Sequence, residues 1–319
     1  MSESSENVRH ERIVLTGGAG LIGQNLVAAL CHAGYDNIVV IDKGRKNLAI
    51  LSQLHPTVSI IEADLAEPGL WCEMLREVDV LVMLHAQIGG INETEFTRNN
   101  VTATECVLAA IANNPDCYIV HVSSSVVSSQ ADDFYTRSKA QQEDLVRTSS
   151  HPWLVLRPTL MFGWFDRKHL GWLSRFMARS PIFPIPGHGD YLRQPLYAGD
   201  FCAIIMSAIN KRISGECVNI SGKEKVSYLE MVRIIKQITA SRTLILRIPY
   251  GLFSALLTIY SWFDKNPPFT VNQLQALVID ESFEEVDWES HFGVQATALG
   301  EALKLTFRHP DYSQIVLEF

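Results

Sequence analysis

Tyr135 and Lys139 stand four positions apart in "FYTRSK", residues 134–139. On a helix the phenol and the ammonium would share one face, about one turn apart. A phenol is a poor base at its usual pKa of about 10, and a nearby cation is what brings it into range for proton transfer. Tyr-x-x-x-Lys also arises by chance on wet helices, so the spacing alone leaves a proton-transfer pair and two surface residues both open. Upstream, "HVSSS" (121–125) ends an apolar run in three hydroxyls, with ten residues from Ser125 to Tyr135.

A second set of residues suits a phosphate-bearing ligand. "TGGAGLIG" (16–23) spaces Gly17, Gly20 and Gly23 three apart, with Leu21 and Ile22 opening the periodic segment that follows. Glycines in such a turn admit close backbone approach and aim helix N-terminal amides at a pyrophosphate. The alternative is a turn that merely requires glycine; the apolar run before it and the helical pattern after it speak for the ligand. Asp42 closes the next apolar run, 19 residues after Gly23. A carboxylate there accepts hydrogen bonds from an adenosine ribose and repels a 2′-phosphate, which favours NAD over NADP. Arg45 and Lys46 follow closely enough to soften that preference. Asp64 and Leu65 close the third run, where they either meet an adenine amine and ring or, for Asp64, cap the segment "AEPGLW".

These residues need a scaffold, and the chain spells one out. Apolar, β-branched runs occur at 12–16, 37–42, 58–64, 79–86, 117–124 and 153–158. Segments with helical periodicity separate them, at 21–33, 45–54, 67–76, 94–113 and 133–148. Near-continuous apolar strands alternating with helices imply parallel pairing through right-handed crossovers. The fold class is α/β: a Rossmann-like doubly wound parallel sheet, with a smaller, discontinuous substrate-binding domain. Ligands of such sheets bind beyond the carboxyl ends of the strands, where the residues above cluster.

Composition sets bounds. In 319 residues, 47% are hydrophobic and 19% charged, enough for one large domain or two closely associated ones. A net charge of −8 argues against a general nucleic-acid-binding surface. The six cysteines form no Cys-x-x-Cys pair and no Cys/His cluster has zinc spacing, so free thiols and no metal are expected. The polar start "MSESSENVRHE" has no apolar core of a signal segment and reads as a frayed tail, consistent with a cytoplasmic protein.

Taken in order, "TGGAGLIG", Asp42, "ADL" (63–65), "LHAQ" (84–87), "NNVTAT" (99–104), "HVSSS" (121–125), "YTRSK" (135–139) and "LRPTLMFG" (156–163) resemble the extended short-chain dehydrogenase/reductases, in the nucleotide-sugar epimerase/dehydratase branch. The resemblance is strong in the cofactor half and patchy beyond it. It implies that Tyr135 is the general acid/base. It implies that Lys139, with the oxidised nicotinamide, lowers the phenol's pKa and holds the nicotinamide ribose. A serine polarises the reacting oxygen, and Ser125 is preferred to Ser124 for that part. His85, Ala86 and Gln87 end the fourth strand on the nicotinamide side, where His85, like His121, reads as a packing ring. Asn100 corresponds to an asparagine that supports the active-site geometry, or is a plain helix-start residue. A homodimer through helices 94–113 and 133–148 is what the family implies.

Two departures stand out. The loop "VVSSQADDF" before Tyr135 is short for this family, which implies a more open site or an unusual substrate and brings Ser128 and Ser129 into play. In the substrate-facing segment that holds Thr159 and Leu160, an apolar Leu160 replaces the usual asparagine. Against that, Arg193 and Asp200 in "PGHGDYLRQPLYAGD" match the family's diphosphate-binding segment. A salt bridge at a domain boundary is the plainer reading of Arg193. The expected division is 9–163 with 194–222 for the dinucleotide, and 164–193 with 223–319 for the substrate. "YGLFSALLTIYSWF" (250–263) is too short to span a bilayer. It is either a core helix of the substrate domain, the wall of a lipid cleft, or a peripheral membrane contact. The resulting expectation is an NAD-dependent epimerase or oxidoreductase acting on a hydroxyl of a nucleotide sugar or lipid-linked sugar. The alternatives are a sterol- or lipid-alcohol dehydrogenase of the same superfamily, or a non-catalytic NAD-binding assembly subunit.

Overall fold

The computed structural model describes residues 9–129, 132–263, 274, 277–280 and 286–318. Most of the polar tail, and Gln130 and Ala131 of the short loop, lie outside that set. Seven parallel strands form the central sheet: β1 (Ile13–Thr16), β2 (Ile38–Asp42), β3 (Ser59–Glu62), β4 (Val80–Met83), β5 (Tyr118–Val122), β6 (Trp153–Pro158) and, later in the chain, Glu216–Ile220. In space they run from the late strand through β6, β5, β4, β1 and β2 to β3. The order reverses between β1 and β4, so a crevice opens there at the strands' carboxyl ends.

Side-chain alternation divides the sheet into two cores. Ile13, Leu15, Val40, Val82 and Val120 face one side with Leu26 of α1 (Leu21–His32) and Phe201 and Ile205 of the helix Ala198–Lys211. Val14, Val39, Ile41, Leu81 and Ile119 face the other, with Trp71, Val107 and Ile111. Burial on both faces is why these strands read as unbroken apolar runs. The segment read as a helix at 67–76 is a single 3-10 stretch, Leu70–Leu75, tied by the Trp71 indole donating to the Glu67 carbonyl at 2.9 Å. The helix read at 94–113 is interrupted by a π-helical turn, Thr97–Thr102.

The smaller domain has its own core, built on the helices Leu170–Arg179 and Tyr228–Ile238 and the last helix, Leu299–Phe307. Strands Ile182–Pro186 and Leu244–Ile248 pair in parallel beside it. The expected boundary at 223–319 is crossed twice. Trp288 and Phe292 pack into the first core, and the Trp288 indole donates to the Ser221 carbonyl at 2.9 Å. Near the chain end, Asn47 exchanges hydrogen bonds with the backbone of Glu318 at 2.9 Å each way, returning the C-terminal segment to the dinucleotide half. The helix Tyr250–Phe263 is not a core element, since no residue from 250 to 259 is buried.

Candidate active site

The crevice has a volume of about 760 Å³, a size that suits a small organic ligand. Its floor begins at the turn after β1. Gly17 has φ +70°, and a Cβ there would lie 2.4 Å from the Cα of His85. A Cβ on Gly23 would lie 2.2 Å from the Gly18 carbonyl oxygen, so Gly23 is what lets α1 approach the turn. Gly20 is different: its Cβ would meet no protein atom nearer than 3.5 Å. Gly20, Leu21, Ile22 and Gly23 all line the crevice, and α1 starts there with no side-chain cap and no acidic residue in its first turn. Uncapped amides and a bare glycine form a cradle that an anionic diphosphate fits.

Asp42 is held at the crevice wall by two backbone amides. Ala19 N–H donates to one carboxylate oxygen at 3.0 Å and Gly44 N–H to the other at 2.8 Å. The cations that could have offset it point elsewhere: Arg45 faces Glu62 at 3.8 Å and Lys46 faces Glu318 at 2.6 Å. A carboxylate with no adjacent free cation suits a ribose diol and disfavours a 2′-phosphate. Asp64 also lines the crevice, but it accepts from Ala66 N–H at 3.0 Å and from Arg98 at 2.6 Å. Burial raises its pKa, but the Arg98 and Ala66 hydrogen bonds and the Lys43 charge outweigh that and leave it lowered. Asp64 thus caps the turn at Ala66, and it lines the crevice beside Leu65.

Tyr135 and Lys139 lie on the helix Phe134–Arg147, whose start is capped by Asp133 accepting from Thr136 N–H at 2.7 Å. Both reach the crevice. Ser124 lies beside Tyr135 on the same wall of the crevice. Burial raises the phenol's pKa, the Ser124 contact opposes the rise, and nearby Asp133 adds to it. Lys139 is 1% exposed and donates to the Val122 carbonyl at 2.9 Å and to Gln142 Oε1 at 2.5 Å. Burial pulls its pKa from 10.5 to about 7, with the Glu143 carboxylate acting against the fall. Ser124 accepts from Val126 N–H at 3.4 Å, which places it at the N-cap of a 3-10 turn over Ser125–Ser128. Ser125 also lines the crevice. Ser123 also borders the crevice, but its hydroxyl donates to Glu143 at 2.9 Å.

Behind this face lies a buried polar layer. His85 Nδ1 meets the Thr16 hydroxyl at 2.8 Å, and its Nε2 meets Thr104 at 3.1 Å and Gln142 at 3.1 Å. Burial first, then the Lys139 charge, hold the His85 pKa down at about 3, so the ring is neutral. His121 is fully buried near Lys139 and His85, for the same causes neutral, and neither ring nitrogen has a partner. Asn100 does not line the crevice. Its Oδ1 accepts from Gln87 N–H at 2.6 Å and its Nδ2 donates to Ser138 at 2.8 Å, so it joins the loop after β4 to the tyrosine helix from beneath.

On the opposite wall, Thr159 and Leu160 face the crevice, and the Thr159 hydroxyl is buried without a partner. Arg193 does not line it. Its guanidinium donates to the backbone carbonyls of Leu277 and, at 2.9 Å, Ile279. Asp200 accepts from Thr297 and braces the helix in which it lies. Three charged or ring-bearing crevice residues stand outside the motifs quoted from the sequence, namely Lys43, Lys168 and His169, and Asn99 of "NNVTAT" lines the crevice as well. Lys43 and Asn99 adjoin residues that were singled out, and Lys43 donates to Asn99 at 2.7 Å. Among the described residues no cluster has the donor set of a metal site.

A doubly wound sheet with an uncapped glycine cradle, a crevice-lining Asp42 and a Tyr/Lys helix defines the class of dinucleotide-dependent enzymes. The sequence pattern of the NAD-dependent epimerase/dehydratase family matches residues 13–221, and the chain belongs to that family. It is accordingly an enzyme, and NAD is its cofactor. The chain is similar to the low-salt glycan biosynthesis protein Agl12 of Haloferax volcanii, 28% identical over 250 residues, covering 68% of this chain and 79% of that one. It is also similar to a ceramide reductase of Caulobacter vibrioides, 23% identical over 258 residues, covering 78% of each. Among solved structures it resembles UDP-glucuronic acid 4-epimerase from Bacillus cereus in complex with NAD. That likeness has a TM-score of 0.69 at 21% identity, covering 93% of this chain and 95% of that one. The epimerase Mth375 of Methanothermobacter thermautotrophicus gives a TM-score of 0.76 at 17% identity, covering 95% and 93%.

Proposed function

We propose that the protein is an NAD-dependent epimerase or oxidoreductase that acts on a sugar hydroxyl, with a nucleotide sugar or a lipid-linked sugar as substrate. The observation that carries this reading is that Tyr135, Ser124 and the buried Lys139 line one crevice, with Lys139 one helical turn beyond Tyr135. Tyr135 takes the proton from the substrate hydroxyl, and Ser124 donates a hydrogen bond to the same oxygen as it becomes a carbonyl. Lys139 supplies positive charge on the tyrosine's face while it stays protonated. NAD, when bound, supplies the acceptance and return of hydride. Tyr135 then gives its proton back to the keto oxygen, and an epimer so formed would carry no net redox change. Lys168 and His169 face an anionic part of the substrate in this reading, the place expected of Arg193.

Dehydration fits less well. It calls for acid/base carboxylates beside the serine, and among the described residues the carboxylates lining the crevice are Asp42 and Asp64. Asp42 ends β2, three strands from β5 and so about 14 Å away. A second reading, a lipid-alcohol oxidoreductase, draws support from Leu160, which lines the crevice beside Ile88, Met161 and Val126. Product analysis separates the two. The enzyme is incubated with a panel of UDP sugars and products are resolved by NMR, and the dinucleotide released on denaturation is quantified. Epimer formation with retained dinucleotide and no accumulating NADH supports the first reading. Stoichiometric NADH from a lipid alcohol, with no sugar interconverted, supports the second.

A further inference from the structure

The smaller domain carries an apolar face that the reaction does not use. In its two-stranded ribbon, Leu244 pairs with Ile182 and Leu246 with Pro184. Phe183 and Ile185 point into the core at 3% and 0% exposure, whereas Ile182, Leu244 and Leu246 face outward at 47%, 68% and 50%. The ribbon runs directly into the helix Tyr250–Phe263, a 14-residue element with no charged side chain. Leu252, Leu256 and Ile259, at helical spacings of four and three, are 54%, 50% and 47% exposed. None of these residues lines the crevice. Exposed apolar side chains gathered on two consecutive elements are the kind of surface that marks a docking site.

The flank of that face names the occupant. Arg233, Lys236 and Arg247 surround a shallow depression with Leu244 and Ile245, and Arg242 is exposed at the start of the same strand. None of the four makes an ion pair among the described residues. Asp280, near Tyr250, is turned to the Leu192 N–H at 2.7 Å. Four cations without an ion pair among the described residues thus lie beside the apolar ribbon in a chain of net charge −8. A second copy would set those cations against one another, whereas an anionic bilayer complements both the charge and the stripe. The helix is roughly 21 Å long, too short to cross a hydrocarbon core of about 30 Å, and no helix among the described residues is long and apolar enough to do so.

We propose that the ribbon Ile182–Pro186/Leu244–Ile248 and the helix Tyr250–Phe263 dock on the surface of an anionic lipid bilayer. The aliphatic stripe enters the headgroup boundary, and Arg233, Lys236, Arg242 and Arg247 pair with lipid phosphates. The test is flotation of the purified full-length protein with phosphatidylcholine vesicles, with and without about one third phosphatidylglycerol. Expected is about tenfold more bound protein on the anionic vesicles, declining as salt rises. Leu252→Glu with Leu256→Glu, and separately Arg233→Glu with Arg247→Glu, should abolish it, while Tyr135→Phe leaves it unchanged whatever that change does to turnover. Thermal melting of the surface variants verifies that they fold. No flotation, or equal flotation on neutral vesicles, overturns the proposal. So does a dimer on gel filtration that Leu256→Glu dissociates while vesicle binding is absent.

Discussion

At the residue scale the centre of the account is a buried ammonium beside a buried phenol. Lys139 is charged in the unfolded chain up to about pH 10.5 but loses its proton near pH 7 in the folded one. Between those values the native state binds fewer protons than the unfolded state, so stability rises with pH. The rise amounts to about 1.4 kcal/mol per pH unit at full effect. Between pH 7 and 8.5 the cofactor-free protein should therefore gain stability to urea, and Lys139→Met should flatten the gain. An unchanged slope in the variant would show that the ammonium is not the group responsible. The serines separate in the same way. Ser124, which lies beside Tyr135 at the crevice, should cost about a hundredfold in kcat on replacement by alanine. Ser125→Ala should cost only a few-fold, and steady-state kinetics on the pair decides. The hydroxyl run was visible in the sequence as a candidate site. Which member meets the phenol depends on the 3-10 turn that follows, and no spacing rule specifies that.

At the element scale, what aims these groups is the docking of the tyrosine helix. Glu143, 1% exposed, is clamped by Arg157 Nε at 3.0 Å and by Ser123 at 2.9 Å, one turn beyond Lys139. Arg157→Met would leave the buried carboxylate to the Ser123 hydroxyl and the more distant Arg147, 4.0 Å away, a loss on the order of 3 kcal/mol. A lowered urea midpoint measures it, and a change below 1 kcal/mol would show that Glu143 finds another partner. The π-helical turn Thr97–Thr102 does similar work for Asn100, which satisfies Gln87 N–H from below. Asn100→Ala should cost about 1–3 kcal/mol and loosen NAD through the Gln87 loop, read out by melting with and without cofactor. Strands and helices of the dinucleotide half were legible because two-sided burial makes each strand a continuous apolar run. The π turn was not, since one inserted residue leaves the helical pattern nearly intact.

At the scale of the whole molecule, two late segments return to places the sequence did not indicate. Residues 277–280 are held to the smaller domain by Arg193, and the C-terminal stretch is held to the dinucleotide half through Asn47. Arg193 matched a diphosphate-binding position, but its partners include carbonyls more than 80 residues away, and no local motif announces such a contact. Arg193→Met should therefore lower stability by roughly 2 kcal/mol and leave KM for a nucleotide sugar within a few-fold. A large rise in KM without a fall in Tm would restore the diphosphate role. The helix Tyr250–Phe263 teaches the same lesson about burial, because composition marks it as apolar without saying whether protein covers it. The central claim, that Tyr135 moves the proton in an NAD-bound crevice, is tested most directly by turnover and dinucleotide content of Tyr135→Phe measured on one preparation. The account predicts a loss of at least about a hundredfold in kcat with the dinucleotide released on denaturation unchanged. Turnover within a few-fold of the parent enzyme would contradict it.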